Sequence, residues 1–361
     1  MTYKRLAAFV AALLLAATGC GDSEPADTTA NTTTTTKITT TTVAPTTTTT
    51  TAPAPEHINF LTGRPDVDNN QSRPVAVMIA NDSHTWGYQY GIDTADMLVE
   101  GETEGGITRI MAVWSDAGRM PGKVGPVRSA RSPFVKLATA LDTVYCHCGG
   151  SLGGKSALYN SGLAAIDNDG STYWRDSYLA SAIDGWHNLL TSGKKVIATI
   201  DRRGIRQERN NPSPFVFGEK SGNQSAAKVQ MTLSSSQTIS FKYNDKDKLY
   251  YKQNGSLSGG KAHKTAEGKQ LTATNVIVMY DYRYAEETPD TSSQGVYVYG
   301  YDMRSGNGKL ISGGKARDIG WSRTDSGLSF TEADGTPLTV AVGRTYLCFA
   351  SSGYSSDLIL Q

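Results

Sequence analysis

Four cysteines in 361 residues are too few to staple a chain of this size, so its stability has to come from buried apolar surface rather than from a disulfide framework. Charge of one sign is missing too. Lys and Arg number 35 against 34 Asp and Glu, a formal net charge of +1, which gives no bulk attraction for nucleic acid or acidic lipid. Beyond the N-terminal segment, no apolar run is long enough to cross a bilayer. No zinc-binding helix motif and no paired CxxC motif occur, and no metal or cofactor is expected. No phosphate-binding loop and no GxSxG elbow is read in the chain, so nucleotide and serine-hydrolase chemistry are not expected.

What is present begins with a secretory layout. Lys4 and Arg5 precede an apolar run from Leu6 to Ala17, and Thr18 and Gly19 lead to Cys20. This run is too short to remain in a bilayer as a spanning helix. Ala17-Thr18-Gly19-Cys20 resembles a lipobox, with Ala17 where Leu is commoner, and predicts a signal peptide over 1–19 that is removed to leave Cys20 lipidated. Residues 20–55 are dominated by Thr with Ala and Pro. They carry too few apolar side chains to offset the entropy of ordering, which predicts a disordered tether with a reach of roughly 30 Å. The expected location is the extracytoplasmic face of the cell membrane, with the lipid as anchor.

The rest of the chain is long enough for two domains. Between 57 and 215, strand patterns over Arg73–Ala80, Met97–Glu100 and Thr108–Trp114 alternate with helical spacing over Ser129–Leu141, Gly154–Ser161 and Trp186–Ile200, which predicts an α/β layered domain. The stretch Gly101–Gly106 reads as an acidic connecting loop. From 225 to 361 the texture changes to short alternating runs, among them Thr238–Tyr243, Thr274–Asp281, Gly295–Tyr301 and Thr345–Ala350, which predict a mostly antiparallel β domain. With Cys20 assigned to the anchor, Cys146, Cys148 and Cys348 remain. Either one bridge to Cys348 or three buried thiols packing as apolar groups fits the count.

Chemistry-bearing residues crowd into the first domain. Arg128, Ser129 and Arg131 stand at the start of a predicted helix, where backbone donors and guanidinium groups suit a phosphate, sulfate or carboxylate, and Arg109 precedes them. The competing reading pairs these arginines internally with the acidic loop. His147 runs into the turn Gly149-Gly150-Ser151, where a ligand can approach the backbone. Trp174-Arg175-Asp176 and Trp186-His187-Asn188 follow on loop-rich sequence. Glu100, Glu104, His147, Asp176 and His187 are the acid–base candidates. Cys146-His147-Cys148 is not expected to hold a metal, because alternate residues of a strand face opposite ways.

At these residues the chain resembles a family. Arg73-Pro74-Val75-Ala76-Val77-Met78-Ile79, Glu104-Gly105-Gly106-Ile107-Thr108-Arg109, Gly125-Pro126-Val127-Arg128-Ser129-Ala130-Arg131, His147 with Gly149-Gly150-Ser151, Trp174-Arg175-Asp176 and His187-Asn188-Leu189 resemble the successive motifs of the YerB-like lipoproteins. The likeness continues through Asn275-Val276-Ile277-Val278, Asp334-Gly335 and Gly343-Arg344-Thr345. The cysteines flanking His147 and the Trp before His187 depart from that pattern. The resemblance implies a membrane-anchored protein with an N-terminal α/β domain, a separate C-terminal domain and an unassigned function. The sequence therefore predicts a surface-tethered protein that binds a cell-wall glycan or anionic polymer. The alternatives are a hydrolase or transferase acting on such polymers, and a scaffold for another envelope protein.

Overall fold

The computed structural model describes residues 57–66 and 71–361, all within the compact unit Pro53–Gln361. The expected signal peptide, Cys20 and the tether lie outside the described residues. Among the described residues, no helix is long and apolar enough to cross a membrane.

The N-terminal part contains β1 (Val75–Ala80), β2 (Met97–Glu102), β3 (Thr108–Trp114), α1 (Ser132–Ala140), β4 (Val144–Cys146), α2 (Leu152–Ser161) and β5 (Ala164–Ile166). It continues through β6 (Trp174–Arg175), α3 (Ser177–Ala182), β7 (Leu189–Leu190) and α4 (Gly193–Arg203). This is the expected α/β region, and the remainder of the chain is β-rich. Every residue of β1 is buried, because the strand is covered on both faces. Val75, Val77 and Ile79 enter one hydrophobic cluster, with Val196 and Ile200 of α4. Ala76 and Met78 enter the other, with Phe134, Val135 and Leu137 of α1.

Both parts of the chain contribute to one sheet, eleven-stranded among the described residues. Its path runs Gly327–Glu332, Lys315–Thr324, Ser305–Ser312, Asn275–Asp281, Thr345–Ser351, then β2, β3, β1, β4 and β5, and the eleventh strand, Gln224–Ser225, pairs off this path with Lys315–Thr324. Thr345–Ser351 is the junction: it pairs in parallel with β2, Met97 opposite Thr345, and in parallel with Asn275–Asp281. The C-terminal strands are thus antiparallel hairpins around this parallel core. A second, antiparallel sheet built on Lys228–Thr232, Thr238–Asn244 and Leu249–Asn254 packs its apolar side chains into the β1–α4 cluster.

Two sequence expectations change. The helix expected over Trp186–Ile200 starts later, at Gly193. Asp184 Oδ1 accepts from the backbone of Trp186 (2.7 Å) and His187 (2.8 Å), an Asx-type turn that holds this stretch out of a helix. Helix α4 instead takes Ser192 as its cap, keeps Val196 and Ile200 one turn apart on the buried side, and ends at Gly204 with φ 61°. The segment read as an acidic loop is buried: β2 runs on through Glu102, and Glu100, Glu102 and Glu104 are 0%, 0% and 3% exposed. Each of them has its own cationic partner, and this pairing is what allows the burial. Of the two readings left open for the cysteines, the structure has the unbridged one: Cys146, Cys148 and Cys348 are free thiols, the first and last buried and Cys148 partly so.

Candidate functional site

Glu104 follows β2 and collects two arginines. Arg131 Nε and Nη2 reach its carboxylate at 2.8 and 2.7 Å, and Arg109 Nη2 bonds the same group. Burial alone would raise the Glu104 pKa, but the two guanidinium groups overcome it and hold the value at about 2. Arg109 also donates to the carbonyl of Ser129 (2.6 Å) and Arg131 to that of Ala130 (2.7 Å). The arginine pair therefore pins the backbone of 128–131 from beneath. Of the two readings given to Arg109 and Arg131, this geometry is the internal pairing, with both side chains only 2% exposed.

Above this support, the 128–131 segment is strapped between neighbours. The Arg128 amide donates to Met78 O (2.8 Å), the Cys148 amide to Arg128 O (3.0 Å) and the Ala130 amide to Gly149 O (2.9 Å). Ser129 and Gly149 are neighbours in consequence. The Arg128 side chain is turned to the surface, where it meets the carbonyl of Trp186 at 3.3 Å. Arg175 donates to Asn188 Oδ1 (2.7 Å) and Gly185 O (3.2 Å) and is itself exposed. Trp186, on the loop that both arginines bond, is 75% exposed. The Cys148 thiol lies within the electrostatic reach of Arg128, Arg175 and Asp167, with its pKa raised chiefly by burial.

His187 anchors the loop that carries Trp186. Its Nε2 lies 3.1 Å from Asp82 Oδ2 and its Nδ1 2.8 Å from Asp184 Oδ2. Burial works against the imidazolium, but the hydrogen bonds to Asp82 and Asp184 win and raise its pKa. Asp184 is correspondingly held down, at about 2. Both ring nitrogens are committed, so His187 offers neither a free lone pair for a metal nor a free base. His147 is separate from it. Its Nδ1–H donates to Gly149 O (2.8 Å), near Asp167, and burial lowers its pKa against the pull of both. Among the described residues no group of three His, Cys, Asp or Glu is arranged to hold a metal ion.

Two more candidates adjoin this face on the β6–β7 ladder, where the Asp176 amide donates to Asn188 O (2.8 Å). Asp176 caps α3 through the Leu179 amide (3.0 Å) and Trp174 lies under Lys195 at 5.8 Å. Glu100 belongs to a different, wholly buried network. It accepts from Asn81 (2.8 Å), Thr108 (2.8 Å) and Tyr346 OH (2.6 Å), with Lys252 Nζ at 3.3 Å. Lys252 in turn donates to His263 Nδ1 (2.9 Å), whose Nε2–H meets Gln89 at 2.5 Å. The structure thus brings together Arg128, Ser129, Gly149, Arg175, His187 and Asn188. It does not bring Glu100 or Glu104 to either His147 or His187.

Sequence reasoning missed Asp82, Asp167 and Asp184, the acids that hold this face. Asp184-Gly185 was the available signal, as a turn dipeptide just before an aromatic. It also passed over the run Gly149–Ser156, which reads Gly-Gly-Ser-Leu-Gly-Gly-Lys-Ser and carries the GxSxG spacing as well as that of a phosphate-binding loop. It even lies between a strand and a helix, β4 and α2. The geometry, however, spends its groups. Ser151 has φ −64° and ψ 168°, an extended cap whose hydroxyl accepts from the Gly154 amide at 3.0 Å. The Gly149 amide goes to Asp167 (2.7 Å) and the Gly153 amide to Glu287 (3.2 Å), so carboxylates already occupy the donors that a phosphate needs.

Fold and site together define a protein of two successive parts, α/β then β-rich, sharing one central sheet and carrying a polar face on the first. The chain belongs to the family described as a protein of unknown function, DUF3048: its N-terminal domain matches residues 61–206 and its C-terminal domain residues 229–347. The chain is 27% identical over 286 residues to the Bacillus subtilis (strain 168) protein described as "Putative lipoprotein YerB", covering 77% of this chain and 81% of that one. A crystal structure of the YerB protein from Bacillus subtilis, 24% identical, has the same fold, with a TM-score of 0.70 over 83% of this chain and 98% of the other.

Proposed function

We propose that this chain is a lipoprotein anchored at the extracytoplasmic face of the membrane through Cys20, and that it binds an anionic cell-envelope polymer or glycan on its N-terminal part. The anchor rests on the Lys4–Cys20 layout, and the description of the Bacillus relative supports it. The binding rests on one observation above all. Two guanidinium groups, Arg128 and Arg175, bond the loop Gly185–Asn188, which carries the exposed Trp186 and is pinned by His187, Asp82 and Asp184. Arginine forks suit phosphate and carboxylate oxygens, and an exposed indole suits the face of a sugar. Rigid support from below, by Glu104 with Arg109 and Arg131, keeps the face in place before a ligand arrives. The acid–base alternative has little support, since the two histidines serve different carboxylates and Glu104 is held far below a useful general-acid range.

Calorimetric titration of the full chain against purified anionic wall polymer tests the binding. Arg128→Ala and Trp186→Ala are each expected to weaken it by about tenfold. Absence of binding by the unmodified protein would remove the reading. Cys20→Ala, followed by membrane fractionation, tests the anchor separately; a variant that still pellets with membranes would refute it.

A further inference from the structure

A cavity of 240 Å³ opens beside Arg344, the residue that leads into the junction strand Thr345–Ser351, and it shares no lining residue with the Arg128–Trp186 face. Stretches remote in sequence meet there. The Gly343 amide donates to Thr62 O (2.8 Å), which seats the Asn59–Arg64 turn against this corner, and the amides of Thr274 and Asn275 both donate to Arg344 O (2.9 and 3.1 Å). Gly343 has φ 144°, and a Cβ on it would lie 2.0 Å from Thr274 Oγ1, so only glycine lets the Thr274 hydroxyl come this close to the turn.

Arg344 is a cation with no contacting anion. Its Nε donates to Ala95 O (2.7 Å), Nη1 to Thr272 O (3.3 Å) and Nη2 to Asp93 O. All three acceptors are main-chain carbonyls, and each terminal nitrogen keeps a further N–H. Asp93 and Asp96 act on its charge from a distance, but both are engaged elsewhere, Asp93 by Lys269 Nζ (3.0 Å) and Asp96 by Arg119 (3.5 Å). Arg64 is near enough to oppose the charge of Arg344, and its exposed side chain has no hydrogen-bonded or ionic partner among the described residues. The wall therefore carries three cations, Arg64, Lys269 and Arg344, against one carboxylate, Asp93. Cations gathered around a void repel one another until an anion enters.

We propose that this cavity binds the phosphate group of a small phosphate monoester. Such a group carries close to two negative charges at neutral pH, which matches the excess of cations over carboxylate on the wall. Guanidinium groups suit its oxygens. The cavity is larger than a lone phosphate needs, and Leu249, Thr272 and Thr274 offer apolar surface and hydroxyls to the organic part. A diester has half the charge and a substituent on both sides, and fits the site less well on each count.

Calorimetric titration of the full-length protein with glycerol 3-phosphate, inorganic phosphate, dimethyl phosphate and acetate provides the test. Glycerol 3-phosphate is expected to bind at least as tightly as inorganic phosphate, and dimethyl phosphate and acetate to bind about tenfold more weakly or worse. Arg64→Ala, at an exposed position, should lower the affinity for glycerol 3-phosphate by about tenfold while leaving the unfolding midpoint unchanged. Lys269→Ala should weaken it as much, because it also leaves Asp93 facing the ligand unneutralised. Arg128→Ala should have no effect, so loss of polymer binding on the other face and loss of phosphate binding here are read independently. The proposal is overturned if glycerol 3-phosphate does not bind, if dimethyl phosphate or acetate binds as tightly, or if Arg64→Ala and Lys269→Ala both keep full affinity.

Discussion

Lys252 and Glu100 are both completely buried, yet neither is unsatisfied, because Tyr346, Asn81, Thr108, Asn254 and His263 complete the shell. Removing one member leaves the other charge stranded. Lys252→Met is therefore expected to destabilise the protein by roughly 3–5 kcal/mol, measured by urea unfolding. Adding Glu100→Gln should recover part of that loss, which a double-mutant cycle would detect. At His187 the prediction concerns pH. Its folded pKa is raised, so its stabilising contribution is complete below the unfolded value of roughly 6.5 and is lost as pH rises through the folded value. Asp82 and Asp184 are depressed, so their contribution is complete above roughly 3.9 and lost as pH falls through their folded values. The difference in Tm between the unmodified protein and His187→Gln should peak between about pH 4 and 6.5 and shrink on either side. A flat difference across that range would refute the role of the two carboxylates.

Helix α2 is the loosest of the longer elements, with Gly154 its only buried residue. It sits on the 130–131 backbone because that glycine has no side chain: a Cβ there would come 2.5 Å from the Ala130 carbonyl oxygen. Gly154→Val should lift the helix and cost about 1–3 kcal/mol, and the amides of Leu152–Ser161 should exchange faster with solvent while those of β1 do not. Elements of this kind also show what the sequence made legible. The strand Thr108–Trp114 and the helix Gly154–Ser161 were read from their residue patterns, and the observed spans agree within two residues. The region Trp186–Leu190 did not. Its apolar spacing mimics a helix, and only the hydrogen bonds from Asp184 reveal the turn. The burial of Glu100 and Glu102 was not legible because their partners Lys252 and Arg283 are remote in sequence, whereas the pairing of Arg131 with Glu104 was one of the two readings the sequence offered. The candidate face was half legible: Arg128, Arg175 and Trp186 announced themselves, whereas the aspartates that position them did not.

Over the whole molecule, the decisive contact is Thr345–Ser351 lying between β2 and Asn275–Asp281. A fragment ending at 215 would leave the Met97–Gly101 edge with a row of unpaired backbone groups and one sheet face uncovered. Such a fragment is expected to associate or precipitate in size-exclusion chromatography, and co-expression with 225–361 should restore a monomeric body. A soluble, monomeric 57–215 would contradict this. The same arrangement constrains timing. A polypeptide emerging from its N-terminus presents β2 long before the strand that seals it has been delivered, and pairings so remote in sequence form slowly. The first half of the sheet must therefore linger open at one side, and that interval is when a nascent chain is most vulnerable to proteases and most in need of a holding partner.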